Sequence, residues 1–207
     1  MVKAMSSIDQ KLYGLVLAGG KSSRMGQDKS GIIYSNKPQV QVAYELLSQF
    51  CSKVFLSTRR DQAGMAVYQS FDQLHDAPEF EGKGPLGGIL SSMKAYPDVS
   101  WLVLACDLPF VTESTLKNLL SGRNRSAIAT AYKSQHDGLP EPLCAVWEAG
   151  HLKDIQKLFE NGFHCPRKVL INSGVHLLEI QNPNELDNIN DPAEHREALK
   201  RLRPPAP

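Results

Sequence analysis

Short apolar runs alternate with amphipathic stretches along this chain, and this alternation restricts the fold more than any other feature. Residues 12–17 (LYGLVL) form a continuous apolar run, typical of a strand that is buried on both faces. Residues 101–105 (WLVLA) form the strongest such run. Strands that alternate with helices predict an α/β fold with a mostly parallel central sheet and helices on both faces.

The same patterns predict the other elements. A helix is expected to begin at Pro38, where proline suits the first turn, and another after Thr112, which suits an N-cap. Residues 65–74 are ambiguous between a weak helix and a short strand. The further predicted strands span residues 54–57, 127–132, 142–147 and 175–180, and the further helices begin near residues 84, 152, 166 and 191.

Composition narrows the class of protein. The chain has 207 residues, of which 42% are apolar, with 23 basic and 22 acidic side chains. Disordered chains have fewer apolar residues, and proteins that hold nucleic acid by bulk charge are more basic. Because domains commonly have about 100–200 residues, we expect one domain over residues 1–207. We expect no nucleic acid and no membrane as partner, because no apolar run approaches the ~20 residues that span a bilayer.

The four cysteines favour a reducing compartment. No two of them form a C-x-x-C pair, so a zinc site or a thioredoxin-like motif has no support. Free, mostly buried thiols are the expected state. The polar residues 1–11 lack the apolar core of a secretory signal, and we therefore expect a cytoplasmic protein.

Two places are favoured as a ligand site. In open α/β sheets, ligands bind outside the carboxyl ends of strands, near the point where the strand order reverses. This rule selects the loop after Leu17 and the segment around Asp107, which follows the strongest strand. A carboxylate at a strand end is well placed to hold Mg²⁺, although the following Pro109 and Thr112 would also suit a turn or cap.

The loop after the first strand reads LAGGKSSRMGQDK at residues 17–29. Two glycines allow a tight turn and a close approach of backbone to ligand, and the cations Lys21, Arg24 and Lys29 follow within it. Backbone amides with nearby cations predict a triphosphate cradle rather than a plain charged surface loop. The loop is not a P-loop, because Leu15 stands where the first glycine would fall, and it lacks G-x-G-x-x-G.

This loop resembles the signature loop of nucleotidyltransferases that activate a phosphorylated acceptor with a nucleoside triphosphate. Within that superfamily the chain is most similar to the molybdenum cofactor guanylyltransferases, from residue 12 to about residue 199. The resemblance implies a three-layer, Rossmann-like nucleotidyltransferase fold. It further implies a nucleotide-binding part at about 12–110 and an acceptor-binding part at about 111–202.

The resemblance also implies roles for single residues. Arg24, Lys29 and Asp107 would be catalytic, with Asp107 as the metal ligand for Mg²⁺. Ser57 stands where many relatives have asparagine, and a hydroxyl lacks the paired donor and acceptor of an amide, so the choice of base stays open. Asp76 matches an aspartate of the nucleotide site, with a turn-forming aspartate as the alternative. The full implied binding set is Leu17, Ala18, Gly19, Gly20, Lys29, Ser57, Asp76, Gly84, Asp107, Asn188 and Asn190.

The C-terminal half carries weaker signals. The segment N-I-N-D-P at residues 188–192 resembles an N-x-N-x-P motif of the family, and it also suits an Asx turn and N-cap. The cations Arg167 and Lys168 stand at a predicted helix start, where they oppose the helix dipole. Either a nearby anionic ligand or solvent exposure would explain them. The pair Arg59 and Arg60 is expected to be solvated rather than to face a phosphorylated acceptor.

The resulting expectation is a guanylyltransferase that uses GTP as substrate, molybdopterin as acceptor and Mg²⁺ as cofactor. Transient contact with proteins that insert the cofactor would fit this role. The alternatives are a cytidylyl- or sugar-phosphate nucleotidyltransferase of the same fold, and a non-catalytic nucleotide-binding regulator.

Overall fold

A computed structural model describes residues 9–18, 32–34, 36–189 and 192–202. These residues form an α/β fold with one sheet of seven strands, as the alternation predicts. The strands are β1 Asp9–Leu17, β2 Cys51–Thr58, β3 Gln73–His75, β4 Ser100–Ala105, β5 Ala129–Lys133, β6 Pro140–Trp147 and β7 Val175–Glu179. The helices are α1 Gln39–Ser48, α2 Gly84–Ala95, α3 Glu113–Ser121, α4 Leu152–Glu160, α5 Pro166–Ile171 and α6 Pro192–Leu202.

The strand order explains where a ligand can bind. The sheet runs β3-β2-β1-β4-β6-β5-β7, and within it β6 is antiparallel to both of its neighbours while the other pairs are parallel. The chain builds outward from β1 to β3 and then returns to place β4 on the other side of β1. The reversal of strand order therefore lies between β1 and β4, at their carboxyl ends.

Helices cover both faces of the sheet, as the side chains of β1 show. A Cβ atom on Gly14 would lie 3.2 Å from Leu47 of α1, whereas one on Gly88 of α2 would lie 3.4 Å from Leu17. Gly14 and Leu17 are three positions apart on the strand, so they point to opposite faces. The sheet is therefore enclosed between α1 and α2, and its central strands can be apolar throughout.

The core is continuous across the sheet. Every residue of β4 is buried, and Trp101 pairs in register with the equally buried Trp147 of β6. All four cysteines lie within the described residues and are thiols outside any disulfide; three of them are buried, and Cys165 is exposed. Burial raises the pKa of the Cys144 thiol to about 12, so that this thiol stays protonated and unreactive. None of the helices in the described ranges combines the length and apolar character that crossing a bilayer requires.

The largest departure from the predicted elements lies in residues 65–74. The segment holds no α-helix, and the short strand that the pattern allows as the alternative forms only at its end, where Gln73 and Leu74 begin β3. It contains a 3₁₀ turn at Ala66–Tyr68 and leads into the three-residue β3. β3 extends the sheet beside β2 and brings the residues that follow it to the ligand edge.

Candidate active site

The carboxyl ends of β1, β2 and β4 lie side by side and form one surface. Leu17 is in register with Ser57 on one side and with Ala105 on the other. The amide of Ala18 donates to the carbonyl of Ser57 at 3.1 Å, and the amide of Cys106 donates to the carbonyl of Leu17 at 3.2 Å. The predicted ligand residues Leu17, Ala18 and Ser57 are therefore brought together at the point where the strand order reverses.

Asp107 lies at the same edge, one residue beyond Cys106, and is partly buried. Its carbonyl oxygen accepts a hydrogen bond from the amide of Ile189 at 2.9 Å. This bond draws the exposed Asn188 to the end of β4, although Asn188 belongs to the C-terminal segment. Two predicted site residues from opposite halves of the chain thus meet at one edge.

The surroundings of Asp107 include a buried aromatic ring. Burial and, after it, electrostatic interactions with Asp107, Cys106 and Glu194 raise the pKa of Tyr34 well above its ordinary value. Tyr34 is therefore neutral at physiological pH. A buried neutral ring within electrostatic range of a carboxylate strengthens the attraction of that carboxylate for a cation, because less water screens it.

The donor set at Asp107 fits a metal that arrives together with its substrate. Within the described residues, no three His, Cys, Asp or Glu side chains are grouped so that they could hold a metal ion. Mg²⁺ is commonly bound through one or two carboxylates, with substrate phosphates and water completing the shell. A single carboxylate beside the predicted triphosphate loop meets that requirement.

A pair of glycines brings α2 close to the ends of β2 and β3. A Cβ atom on Gly88 would lie 2.2 Å from the hydroxyl oxygen of Ser57. One on Gly87 would lie 2.5 Å from the carbonyl oxygen of Phe80 and 3.3 Å from a carboxylate oxygen of Asp76. The two glycines thus allow a tight contact between helix and sheet, and Ser57 and Asp76, both predicted nucleotide residues, line it.

Asp76 lies just beyond β3 and is partly buried. Burial and the nearby Glu81 raise the pKa of its carboxyl, while His75 and Arg60 act in the opposite direction. The amide of Ala77 donates to Ser91 of α2 at 2.8 Å, which ties the turn to that helix. Among the described residues nothing donates a hydrogen bond to the Asp76 carboxylate, so its hydrogen-bonding capacity is available to a ligand.

Two further features border this nucleotide side. Gly84, the first residue of α2, has φ of +63°, a conformation that favours glycine. Arg59 forms an exposed ion pair with Asp61 at 3.0 Å, in line with the expected solvent exposure. Arg60 is exposed as expected, and its guanidinium donates to the carbonyl of Asp76 at 3.5 Å.

Several predicted residues fall outside the described ranges. These are Gly19, Gly20, Lys21, Arg24 and Lys29 of the first loop, and Asn190 of the C-terminal motif. Their roles stay predictions.

Arg167 has neither of the two environments that its position suggested. Its guanidinium pairs with Asp137 at 3.0 Å and with Glu141 at 2.8 Å. These carboxylates, from the β5–β6 connection and β6, offset the positive charge at the start of α5. An anionic ligand is not needed to explain Arg167.

A cavity of about 240 Å³ lies apart from the predicted site residues, between α3 and the end of β7. Ser114, Asn118, Tyr132 and Glu185 are among its lining residues. The hydroxyl of Tyr132 donates to the carbonyl of Thr115 at 2.7 Å, and Glu185 accepts from the Thr115 hydroxyl at 2.6 Å. These bonds join α3 to its surroundings and give the cavity wall a structural role.

Tyr34, Phe110 and His195 contribute to the surroundings of Asp107 without belonging to any motif. Tyr34 and Phe110 are 8% exposed, and both pack in one apolar cluster with Ala198 of α6. The only sequence signal was the helical spacing of His195, Ala198, Leu199 and Leu202, which predicts a packed face but not its partner.

Comparison with known proteins agrees with this geometry. The profile of the MobA-like NTP transferase domain matches residues 14–176. A molybdenum cofactor biosynthesis bifunctional protein of Synechocystis is 38% identical over 184 residues, which cover 89% of this chain and 52% of that protein. The chain thus spans about half the length of that relative. A molybdenum cofactor guanylyltransferase of Pseudomonas aeruginosa is 30% identical over 188 residues, covering 88% of this chain and 93% of the relative.

Solved structures show the same fold. The molybdopterin-guanine dinucleotide biosynthesis protein A of Archaeoglobus fulgidus superposes with a TM-score of 0.72 at 21% identity, covering 91% of this chain and 97% of that one. A CMP:2-keto-3-deoxy-manno-octonic acid synthetase complexed with CTP gives a TM-score of 0.72 at 14% identity, covering 93% and 98%. The fold is therefore the Rossmann-like fold of nucleotidyltransferases.

The profile match extends from β1 into β7 and so includes the strand ends that carry Leu17, Ser57 and Asp107. The relative from Pseudomonas aeruginosa is matched over almost its whole length. The geometry of the sheet edge, the profile match and this relative agree. The chain therefore belongs to the family of MobA-like NTP transferase domains.

Proposed function

We propose that this protein is a nucleotidyltransferase that transfers GMP from GTP to the phosphate of molybdopterin and releases pyrophosphate. The observation that carries the proposal is the position of Asp107 beside Leu17 and Ala18, where the strand order reverses. The names of the relatives, molybdenum cofactor guanylyltransferases, supply the choice of GTP and of the acceptor.

The nucleotide is assigned to the first half, about residues 12–110. The backbone at Leu17 and Ala18, continuing into Gly19 and Gly20, would hold the triphosphate. Ser57, Asp76 and Gly84 would contact base and ribose; the contact between α2 and the end of β2 supports this, since it gathers Ser57 and Asp76 on one side.

The acceptor is assigned to about residues 111–202. Asn188 and Asn190 would orient it, because the bond from Ile189 to Asp107 brings this segment to the end of β4. The acceptor phosphate would then meet the nucleotide at the same edge that carries the predicted metal ligand.

The reaction needs no general base. A phosphate oxygen of the acceptor is already nucleophilic at neutral pH, so it forms a bond to the α-phosphorus of GTP while the bond to the pyrophosphate oxygen breaks. Catalysis then consists of positioning and of stabilising charge. Arg24 and Lys29 are proposed to offset the charge that develops on the leaving pyrophosphate.

Asp107 is proposed to hold Mg²⁺, which would neutralise phosphate charge and polarise the α-phosphate when it is bound. The contribution of the protein is to fix that carboxylate at the strand end and to limit the water around it. The donor set and the buried ring of Tyr34 both support this assignment.

A pyrophosphate-release screen tests the proposal. GTP, CTP, ATP and UTP are each supplied with Mg²⁺, with and without molybdopterin. Release that requires both GTP and molybdopterin is the expected result. Release with CTP or with a sugar phosphate would instead identify another transferase of this fold, which the serine at position 57 makes worth testing. Binding of GTP without release under every condition would identify a regulator.

A further inference from the structure

A small apolar cluster at the site edge connects segments that are distant in the chain. It consists of Ile32, Tyr34, Phe110, Ile189 and Ala198, and all five are buried. Ile32 and Tyr34 follow the first loop, Phe110 follows β4, and Ala198 belongs to α6. The cluster is separate from the main core, so its packing is the chief apolar contact by which α6 is attached to this edge.

The turn that carries Asp107 is attached to this cluster by three contacts. The carbonyl of Asp107 accepts from the amide of Ile189 at 2.9 Å. Phe110 packs in the cluster, and the guanidinium of Arg201 lies 3.8 Å from the centre of its ring. Arg201 also donates to Asp187 at 3.2 Å. The last helix and the segment before it thus hold the residues on both sides of the Asp107 turn.

Tyr34 connects α6 to the carboxylate itself. Its ring lies 5.0 Å from the ring of His195 at an angle of 78°, an edge-to-face contact. Tyr34 also packs in one cluster with Phe110 and Ile189, and these two residues hold the Asp107 turn; burial and, after it, the charge of Asp107 raise the pKa of Tyr34. Tyr34 therefore contacts the last helix and lies within electrostatic range of the proposed metal ligand.

His195 contributes through its ring rather than through a hydrogen bond from Nε2. This nitrogen is buried and has no hydrogen-bond partner among the residues that the structure describes. The contact with Tyr34 is a ring contact, which a phenylalanine at position 195 would preserve. An unpaired buried polar atom lowers stability, so the favourable contribution of His195 to packing comes from its ring and not from Nε2.

From these contacts we infer that Tyr34 and His195 are positioning residues for the Asp107 carboxylate, through which α6 sets the affinity of the site for a divalent metal bound with nucleotide. The inference rests on the proposed function, since it takes Asp107 as the metal ligand. It adds to that function a part of the chain outside the nucleotide half. Residues behind a metal ligand commonly change metal affinity by about 10- to 100-fold when they are removed.

The test measures metal binding directly and needs neither acceptor nor turnover. Mn²⁺ is titrated into the full chain with GTP at the concentration of the protein, and free Mn²⁺ is followed by electron paramagnetic resonance. GTP without protein is the blank, because its phosphates bind Mn²⁺ themselves, and binding by the protein is the difference. The variants Tyr34→Ala and His195→Ala are each expected to weaken Mn²⁺ binding about tenfold. The double variant is expected to lose about as much Mn²⁺ affinity as the more affected single variant, because both residues act through one contact. Tyr34→Phe and His195→Phe keep the rings and are expected to stay within about threefold of the parent protein.

Tyr44→Ala is the matched control. Tyr44 is also partly buried and packs on an aromatic ring, that of Phe71 at 4.7 Å, but it belongs to α1. The Tyr44→Ala variant should lose about as much stability as Tyr34→Ala, with no change in Mn²⁺ affinity. Thermal unfolding of each variant confirms that binding is measured on folded protein, and Tyr34→Leu replaces Tyr34→Ala if the latter does not fold.

Unchanged Mn²⁺ affinity in the folded Tyr34 and His195 alanine variants would overturn the inference. An equal loss in Tyr44→Ala would overturn it too, since the effect would then follow stability alone. Asp107→Asn separates the two levels of the proposal. If this variant loses Mn²⁺ while the alanine variants keep it, the metal site stands and the role of α6 falls. If the parent protein binds no Mn²⁺ with GTP, the proposed metal site itself falls.

Discussion

Gly88 of α2 leaves the space that the hydroxyl of Ser57 occupies, since a Cβ atom at position 88 would lie 2.2 Å from that oxygen. No real Cβ contact is so short, so the Ser57 side chain must rotate or α2 must shift to admit one. The packing of a helix against the sheet is thus coupled directly to the shape of the proposed base site.

The variant Gly88→Ala tests this coupling. We expect a loss of about 1–3 kcal/mol in the free energy of unfolding, the usual cost of overpacking, together with weaker GTP binding. Urea denaturation and calorimetric titration with GTP measure the two effects. Gly64→Ala is the control, because a Cβ atom there meets nothing within 4 Å. The combination Gly88→Ala with Ser57→Gly should recover part of the stability, and equal losses in the two single glycine variants would contradict the steric explanation.

Asp107→Ala and Lys29→Ala are each expected to lower turnover by orders of magnitude. Both remove charge that the proposed reaction needs, and the melting temperature is expected to change little. Pyrophosphate release under saturating substrates is the measurement. Asp154→Ala removes an exposed carboxylate of α4 and should leave turnover unchanged. Near-normal turnover in either of the first two variants would remove that residue from the mechanism.

Asn188→Ala is expected to raise the KM for molybdopterin without changing GTP binding. Asn188 is exposed, so its removal should not affect stability, and its position beside the Asp107 turn places it toward the acceptor. Steady-state kinetics in each substrate separate the two constants. The equally exposed Asn184 provides the control substitution, and a parallel rise in the KM for GTP would argue against an acceptor role.

The carboxyl of Asp76 predicts a pH dependence of stability. Burial raises its pKa in the folded state above the value in the unfolded chain, so the folded protein holds this proton to higher pH. Stability contributed by the protonated form is therefore present at acidic pH and is lost as pH rises through the raised pKa. Asp76→Asn should be more stable than the parent at neutral pH, with the difference shrinking as pH falls. Thermal unfolding across this range measures it, and the exposed Asp98→Asn should show no such trend.

The buried ion pair of Arg123 and Glu148 lies at the opposite edge of the sheet from the site. The two side chains are 5% and 3% exposed and are joined at 2.6 Å, and Glu148 also accepts from Ser100 at 2.8 Å. Arg123→Met leaves the buried Glu148 carboxylate without its charged partner and should lower the free energy of unfolding by about 3–5 kcal/mol. Lys37→Met, which breaks an exposed pair with Glu45, should cost less than about 1 kcal/mol. Chemical denaturation compares them, and GTP affinity should be unchanged in both.

Much of the fold could be predicted from apolar periodicity. The runs at residues 12–17 and 101–105 became β1 and β4, and Thr112 caps α3 by accepting a hydrogen bond from Thr115. A strand at β3 was only one of two alternatives for residues 65–74, because three residues are too few to show a period. Its place in the sheet is decided by pairing with β2, which is a tertiary effect.

The site divides in the same way. The rule for strand ends predicts Leu17 and Asp107 without any knowledge of the fold family. The contact of Tyr34 with His195 could not be predicted, because no local pattern links a residue after the first loop to one in the last helix. The pairing of Arg167 with Asp137 and Glu141 was hidden for the same reason, since both carboxylates lie in other elements.

The reversed direction of β6 has a consequence for how such a protein can change. Because β6 runs against β4, its carboxyl end brings Glu148 to the edge opposite the ligand residues, where Ser100 and Arg123 fix it. Its amino end leaves the β5–β6 hairpin at the ligand edge. One end of these strands thus carries the buried ion pair of Glu148, and the other end faces the ligand edge. Substitutions that adapt the protein to a different acceptor can accumulate in the hairpin and the neighbouring loops while the anchor stays intact.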